Sequence, residues 1–210
     1  MSHKNKYSYN FSWLGRPIIQ YPQDIVALQE IIFNVQPDLI IETGIAHGGS
    51  LIFSASMLTL LDAMEGIDSK NSDRKVVGVD IDIRNHNKKE IIKHPFYHKI
   101  KLIEGSSTDE KTIKKVEKYF NKDKKTLVCL DSNHTTDHVL KELDNYAKFV
   151  SINSYCIVCD TCLQFVSEES FVGRPWSNKN NPLVATLKWL KRNENFKADK
   201  SIDNKLLISA

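Results

Sequence analysis

Acidic side chains follow most of the apolar, strand-like runs of this 210-residue chain. Such carboxylates accept hydrogen bonds from ribose hydroxyls or ammonium groups, or they bind a divalent cation through oxygen. A single acid before a helix is often only a cap, but acids at four of five strand ends indicate a polar ligand site. The acids are Glu42 after "DLII", Asp80 after "KVVGV", Asp131 after "TLVCL" and Asp160 after "YCIVC".

The segment "ETGIAHGGS" (42–50) follows the first of these strands. Gly44 and Gly48 let the backbone pass close to a ligand, at the start of a helix that Ser50 opens. A dinucleotide fingerprint needs one residue between its first two glycines, and here there are three. The acid before the turn also repels phosphate, so the pattern favours a cationic, hydroxylated ligand such as S-adenosylmethionine. A tight turn without a ligand is the alternative.

Two later strand ends suit the remaining parts of a nucleoside. Asp80 is placed to accept both ribose hydroxyls, with Asp82 as the competing acid two residues on. Ser106 and Ser107, in "EGSSTDE", are placed to contact the edge of an adenine ring. The same serines equally suit an ordinary helix N-terminus.

Asp131 and Asp160 follow strands that we expect to be neighbours, about 5 Å apart. Two converging carboxylates are a natural start for a Mg²⁺ site, although each could instead cap the segment after it. His134, in "DSNHTTDH", faces the same site and is a candidate general base beside Asp131. His138 lies inside the following helix and is expected to be structural or exposed.

The cysteines suggest a rival thiolate site. Cys156, Cys159 and Cys162 are spaced three apart, but residues three apart on an extended strand point to opposite faces, so Cys156 and Cys159 do not chelate together. The chain has no second C-x-x-C motif outside this run. With Cys129 they are expected to be small, buried apolar residues in a reducing cytoplasm.

The elements that position these residues alternate between strand and helix. This pattern predicts an α/β fold with a mostly parallel sheet, helices on both faces, and one domain over 1–210 with an N-terminal helical extension at about 1–37. The tail "NFKADKSIDNKLLISA" (195–210) predicts an antiparallel strand pair. The expected strands are 38–42, 75–80, 100–105, 126–131 and 155–160, and the expected helices are 23–34, 50–61, 84–93, 108–120, 136–150 and 182–192.

Composition and charge give no indication of a nucleic-acid partner or a membrane span. A net charge of +3 gives no reason to expect nucleic acid, and 41% hydrophobic residues are typical of a globular protein. The longest apolar stretch, 51–61, is far shorter than the roughly 20 residues of a membrane span. The N-terminus lacks the apolar core of a signal peptide, so we expect a cytoplasmic protein.

The chain resembles the cephalosporin hydroxylase family, whose members have an S-adenosylmethionine-dependent, Rossmann-like methyltransferase fold. The likeness is carried by "WLGRPIIQYPQD", "LIIETGIAHGGSLIFSASML", "VVGVDIDIR", "LDSNHTTDHVLKELDNYAKFVS" and "DNKLLIS". It implies a Mg²⁺-assisted O-methyltransferase acting on sugars, surface polysaccharides or natural products. The residues that match its motifs are Glu42, Gly44, Gly48 and Ser50 in the cofactor loop, Asp80 for ribose, and Asp131 and Asp160 for the metal.

Two departures from the family pattern stand out. Cys159 occupies a position where the family usually has Glu, which puts a soft thiol where a hard carboxylate is expected and leaves the metal site in question. Similar proteins also continue past "LLIS" with a short strand, so the resemblance implies a shortened end.

The sequence thus predicts methyl transfer from S-adenosylmethionine to a small-molecule or glycan acceptor, with His47 lining the cofactor. Arg174 and Trp176, in the 163–182 segment, are candidates to contact a sugar, unless that segment is only a surface loop. The alternatives are an NAD-dependent oxidoreductase, a nucleic-acid methyltransferase and a non-catalytic cofactor-binding protein. Homo-oligomer formation stays open.

Overall fold

The computed structural model describes residues 6–206, and its centre is a sheet of five parallel strands. These strands are β3 (Leu39–Thr43), β4 (Lys75–Asp80), β5 (Ile100–Glu104), β6 (Thr126–Leu130) and β7 (Cys156–Val158), in the spatial order β5-β4-β3-β6-β7. A separate antiparallel hairpin precedes them and consists of β1 (Phe11–Trp13) and β2 (Arg16–Ile18).

Helices connect the strands as the alternation predicts. The parallel sheet and the helices between its strands confirm the predicted α/β architecture. The helices are α1 (Pro22–Val35), α2 (Gly49–Met64), α3 (Asn85–Lys93), α4 (Glu110–Glu117), α5 (Thr136–Tyr146), α6 (Pro182–Leu190) and α7 (Lys200–Asp203).

Each face of the sheet has its own apolar core, because successive strand residues point to opposite faces. Ile40 of β3 packs in the cluster that contains α1, α2 and Ile91 of α3. Its neighbours Leu39 and Ile41 pack in the other cluster, which contains residues of α4, α5 and α6. Burial on both faces explains why β3 is a continuous apolar run rather than an alternating one.

The strand order places the candidate site. From β3 the chain moves outward through β4 and β5, then returns to the other side of β3 for β6 and β7. Ligands of open α/β sheets bind at the carboxyl ends of the strands where this reversal occurs. In this chain that point lies between β3 and β6.

The prediction of a C-terminal antiparallel strand pair is wrong for the described part of the tail. Asp199 accepts a hydrogen bond from the Ser201 amide (2.9 Å) and caps the short helix α7, because an aspartate at this position satisfies a free N–H of the first turn. The Tyr155 hydroxyl also donates to Asp199 (2.5 Å). The final residues, 207–210, lie outside the described residues.

The antiparallel pair lies instead at the other end of the chain. Leu14 and Gly15 join β1 to β2 in a two-residue turn with φ values of 45° and 85°, as a type I′ hairpin requires. The predicted N-terminal helix over 23–34 is confirmed as α1. None of the described helices is both long enough and apolar enough to cross a membrane.

Candidate active site

The turn after β3 requires glycine for two reasons. Gly44 has a φ of +87°, and a Cβ atom there would lie 1.9 Å from the carbonyl oxygen of Asp131. Gly48 has a φ of +84°, and a Cβ atom there would lie 2.5 Å from the Ile91 side chain. The glycines therefore let the loop 44–48 lie directly against the end of β6 on one side and α3 on the other.

The Asp80 carboxylate supports this loop from the end of β4. Its Oδ2 accepts hydrogen bonds from the amides of Ile45 (2.7 Å) and Ala46 (3.3 Å), and its Oδ1 accepts one from the Asp82 amide (3.1 Å). A carboxylate oxygen has more than one lone-pair site, so Asp80 retains acceptor capacity for a ligand. Asp82 is exposed on the surface.

Glu42 lies beneath the loop in a buried environment. Burial raises the pKa of its carboxyl group to about 7, because desolvation penalises the charged form. The Ser54 hydroxyl of α2 donates to Oε2 (3.3 Å), and Oε1 accepts no hydrogen bond from residues 6–206. A buried carboxylate oxygen without a donor is suited to a cationic or hydrogen-bonding ligand group.

Asp131, His134 and Asp160 converge beyond β6 and β7. One ligand atom from each of the three lies within 4.8 Å of the others. Burial and the charge of Asp160 raise the pKa of Asp131 well above its usual value. His134 Nδ1 lies 3.2 Å from Asp160 Oδ2, and the Gln20 amide donates to Asp131 Oδ2 (3.1 Å). Two carboxylates and an imidazole form a donor set that suits a divalent cation.

Cys159 lies beside this cluster but contacts another cysteine. Its Sγ is 3.8 Å from Sγ of Cys129, which lies on the neighbouring strand β6. The hydrogen bond with Cys129 and burial raise the pKa of the Cys159 thiol well above its usual value. All four cysteines are unbridged. The thiol is therefore neutral and faces Cys129, and it does not supply the carboxylate expected at this position.

The segment after β7 packs over the acidic cluster. The Trp176 ring meets the His134 ring edge-on at a centroid distance of 4.7 Å, and the Arg174 guanidinium lies 5.3 Å from the Trp176 ring centroid. Together with the N-terminal segment it encloses a cavity of about 560 Å³. A cavity of this size accommodates a small organic ligand.

The structure brings part of the predicted site together around this cavity. The predicted residues that line it are Gly44, His47, Ser50, Asp131, His134, Asp160, Arg174 and Trp176. The predicted residues outside its lining are Glu42, Gly48, Asp80, Ser106 and Ser107. The cavity therefore brings the predicted metal and acceptor residues together with part of the loop 44–48, and the residues predicted to contact ribose and adenine lie outside its lining.

The two predicted adenine contacts differ in their surroundings. The Ser106 hydroxyl bonds with the Thr108 hydroxyl (3.1 Å), within the turn before α4. Ser107 is buried and bonds with His138 Nε2 (3.0 Å). His138, expected to be structural or exposed, is half-buried. Its Nε2 contacts both Ser107, which follows β5, and Ser132, which follows β6.

Sequence reasoning missed several residues of the site. Ser132 donates to the buried Glu142 (2.6 Å) and lies 3.2 Å from His138 Nε2, so it anchors the backbone next to Asp131. The sequence signal that could have indicated this contact is the i,i+4 spacing of His138 and Glu142 on α5. Gln20, which contacts Asp131, is separated from it by 111 residues and left no local signal.

Comparison with known proteins gives a consistent family match. A model of the family described as Rhamnosyl O-methyltransferase/CmcI matches residues 5–210. The Rhamnosyl O-methyltransferase of Mycobacterium tuberculosis is 26% identical over 139 residues, which cover 66% of this chain and 51% of that protein. The protein of the same name from Mycobacterium leprae is 26% identical over 153 residues, covering 72% and 61%. The chain spans about half the length of the first of these relatives.

A solved structure shows the same fold. It is the MycE methyltransferase from the mycinamycin biosynthetic pathway, in complex with Mg, SAH and mycinamycin VI. The TM-score is 0.54 at 17% sequence identity, and the match covers 93% of this chain and 46% of that chain. At this identity the likeness shows a shared Rossmann-like fold and leaves the roles of individual residues to their own geometry.

Proposed function

Because the chain belongs to the Rhamnosyl O-methyltransferase/CmcI family, we propose that it transfers a methyl group from S-adenosylmethionine to a hydroxyl of a sugar or other small glycosylated molecule. The observation that carries this proposal is that Asp131, His134 and Asp160 line one cavity together with residues of the loop 44–48, called the glycine loop below. This proximity supports assigning a proton acceptor and a cation site beside the loop proposed to bind the cofactor.

The cofactor is assigned to the loop after β3 and the strand ends beside it. The Oε1 of Glu42, which accepts no hydrogen bond from the described residues, suits the ammonium group of the methionine part, and Asp80 suits the ribose hydroxyls. Ser106 and Ser107 are assigned to the adenine edge. The residues assigned to the loop itself are Gly44, His47, Gly48 and Ser50.

Asp131 and Asp160 would hold a divalent cation, with Mg²⁺ as the first candidate. Their donor set fits, since two half-buried carboxylates in mutual repulsion gain from a cation between them. When bound, such an ion supplies Lewis acidity that lowers the pKa of a coordinated hydroxyl. Gln20 holds one oxygen of Asp131 in position.

His134 is the proposed general base. Asp160 orients its Nδ1, and the edge of Trp176 limits rotation of the ring. The acceptor oxygen attacks the methyl carbon, the carbon–sulfur bond breaks, and its electron pair stays on sulfur as S-adenosylhomocysteine forms. The acceptor proton passes to His134. Positioning the oxygen in line with the methyl group is the main task of the protein.

Trp176 and Arg174 are the proposed acceptor contacts. An aromatic ring at the wall of the cavity offers an apolar face to a sugar, and a guanidinium next to it can donate to hydroxyl or phosphate oxygens. The proposed acceptor is a rhamnosyl or related glycan of a surface polysaccharide or natural product, and the name Rhamnosyl O-methyltransferase of the relatives supports the rhamnosyl part of this proposal.

Methyl transfer to a panel of deoxysugar nucleotides and glycosides, measured with methyl-labelled S-adenosylmethionine, tests this function. We expect label in at least one acceptor and none with Asp131→Asn in its place. Isothermal titration with S-adenosylhomocysteine is the companion measurement. An absence of cofactor binding by the wild-type protein would overturn the assignment.

Cys159 favours a second candidate, a cofactor-binding protein without turnover. The neutral thiol faces Cys129 and gives the metal site one hard ligand fewer than the family pattern. Tight binding of S-adenosylhomocysteine without turnover of any acceptor would support it. Restored turnover in Cys159→Glu would assign the loss to this position.

A further inference from the structure

The N-terminal hairpin lies directly on the glycine loop. A Cβ atom at Gly49 would lie 2.2 Å from the Pro17 carbonyl oxygen and 2.6 Å from the Ile18 Cα atom, so β2 and the start of α2 are in backbone contact. The hairpin is also fastened to α2, because the Trp13 indole donates to the Ser56 hydroxyl (3.0 Å). The hairpin therefore packs against the C-terminal end of the loop 44–48, where α2 begins.

Arg16 joins this hairpin to the outer side of the loop. Its Nε donates to the carbonyl oxygen of His47 (3.0 Å), and its Nη2 donates to the same oxygen. The same Nη2 donates to Oδ1 of Asn87 (3.0 Å). The planar guanidinium thus contacts a loop carbonyl and a helix side chain at once, with a fixed fork geometry that the ammonium group of lysine lacks.

Asn87 completes the contact from α3. Its side chain is buried, and its Nδ2 donates to the carbonyl oxygen of Ala46 (3.0 Å). Both ends of the Asn87 amide are therefore engaged, one by Arg16 and one by the loop. Two consecutive loop carbonyls, those of Ala46 and His47, are held from outside by residues of two other elements.

The loop needs such support because its backbone is strained. Ala46 has a φ of 46°, in the left-handed region that side chains with a Cβ atom disfavour. On the inner side, the amides of Ile45 and Ala46 donate to Asp80. The outer contacts hold the carbonyls and the inner contacts hold the amides, which together fix the orientation of these peptide groups.

We propose that Arg16 and Asn87 are positioning residues that keep the loop 44–48 in its binding conformation, so that the N-terminal hairpin is a working part of the cofactor site. This inference rests on the proposed function only in taking the loop as the place where the cofactor binds. Arg16 does not line the cavity, and it acts through the loop rather than on the ligand.

The test compares Arg16→Met, Arg16→Lys and Asn87→Ala with the control Arg84→Met. Arg84 directly precedes α3, and its exposed side chain lies 4.0 Å from the exposed carboxylate of Asp82. Arg16→Met and Asn87→Ala should weaken S-adenosylhomocysteine binding by about tenfold, the scale of one to two hydrogen bonds. Arg16→Lys should lose less affinity for S-adenosylhomocysteine than Arg16→Met, and the control Arg84→Met should bind it as tightly as the wild type.

Amide hydrogen exchange of the unliganded proteins supplies a readout independent of binding. Exchange in residues 44–50 should become faster in Arg16→Met and Asn87→Ala, while exchange in β3 and β6 stays as in the wild type. Unchanged loop exchange together with wild-type affinity would overturn the inference. If Arg16→Met fails to fold, Arg16→Lys and Asn87→Ala decide. If the wild type binds no cofactor, the proposed function fails, and loop exchange still tests the positioning role.

Discussion

Glu42 and Gly44 show how single residues at the end of β3 are constrained by their surroundings. Glu42 carries a carboxyl group in a buried site. Gly44 has a left-handed φ, and a Cβ atom there would clash with the Asp131 carbonyl oxygen, so the position excludes a side chain. The sequence indicated both residues from their types and order. The reasons for them, desolvation and the contact with Asp131, came from tertiary packing.

Replacing Glu42 by Gln should change how stability depends on pH. A carboxyl group whose folded pKa is about 7, raised from 4.5, stabilises the fold below the unfolded pKa, and this contribution is lost as pH rises through about 7. Glutamine has no such loss. The free energy of unfolding of Glu42→Gln relative to wild type should therefore rise between pH 5 and pH 8, by about 3 kcal/mol at most. Urea unfolding at several pH values measures it, and a pH-independent difference would contradict the prediction.

Replacing Gly44 by Ala should cost far more than the same change at Gly66. Both glycines have left-handed φ values, 87° and 72°, but a Cβ atom at Gly66 has no neighbour within 4 Å. Gly66→Ala should lose about 1–2 kcal/mol of unfolding free energy from backbone strain alone. Gly44→Ala should lose at least about 2 kcal/mol more, because the loop must move away from Asp131. If denaturant titrations give both variants the same loss of unfolding free energy, the contact between Gly44 and the Asp131 carbonyl oxygen does not contribute to stability.

At the scale of elements, a buried ion cluster fastens α2 to the segments around β4 and β5. Asp62 of α2 pairs with Arg74 before β4 (2.8 Å) and with Lys99, the fully buried residue that precedes β5. Burial alone would raise the pKa of Asp62, but hydrogen bonds from Lys99, Arg74 and Ser72 outweigh it and lower the pKa. The cluster fixes the helix against the sheet edge remote from the cavity.

Replacing Lys99 by Met should lower the free energy of unfolding by about 3–5 kcal/mol, because it leaves Asp62 buried with part of its charge uncompensated. The control is Lys93→Met, which removes an exposed pair with Glu90 (3.2 Å) and should cost at most about 0.5 kcal/mol. The double variant Asp62→Asn/Lys99→Met should recover part of the loss. Thermal and chemical unfolding measure these values, and a Lys99→Met protein as stable as the control would refute the prediction.

At the scale of the whole molecule, the cavity forms where four separated segments meet. They are the hairpin with Gln20, the glycine loop, the turn after β6, and the segment after β7 that contains Trp176. The parallel sheet brings the two aspartates together, and the flanking segments enclose them. Repulsion between the half-buried carboxylates of Asp131 and Asp160 is part of the energy of this arrangement, and a cation should relieve it.

A divalent cation should therefore stabilise the whole fold. At a concentration of Mg²⁺ about one hundred times its Kd, the free energy of unfolding should rise by about 2.7 kcal/mol. For a chain of this size, that corresponds to a rise of roughly 5–10 °C in Tm. The measurement is thermal unfolding after chelation and again with added Mg²⁺ or Mn²⁺. Asp131→Asn should abolish the rise, and an equal rise in that variant would place the ion elsewhere.

Periodicity, turn residues and strand-end acids were enough to predict the parallel sheet and its helices. Each of these signals is local: apolar residues such as Leu39, Ile40 and Ile41 show burial on both faces, and Gly44 marks the turn. The tail prediction failed because Asp199 can cap a helix as readily as it can end a strand, and its contact with Tyr155 is not visible in the sequence.

The sequence by itself determined the order of elements and the edge of the sheet where the acids gather, because both depend on residues close together in the chain. Only the tertiary structure decided which side chains meet across that edge. Cys159 facing Cys129, Gln20 on Asp131 and Arg16 on the glycine loop all depend on how distant elements pack. Packing of that kind follows from the whole fold, and no short stretch of sequence specifies it.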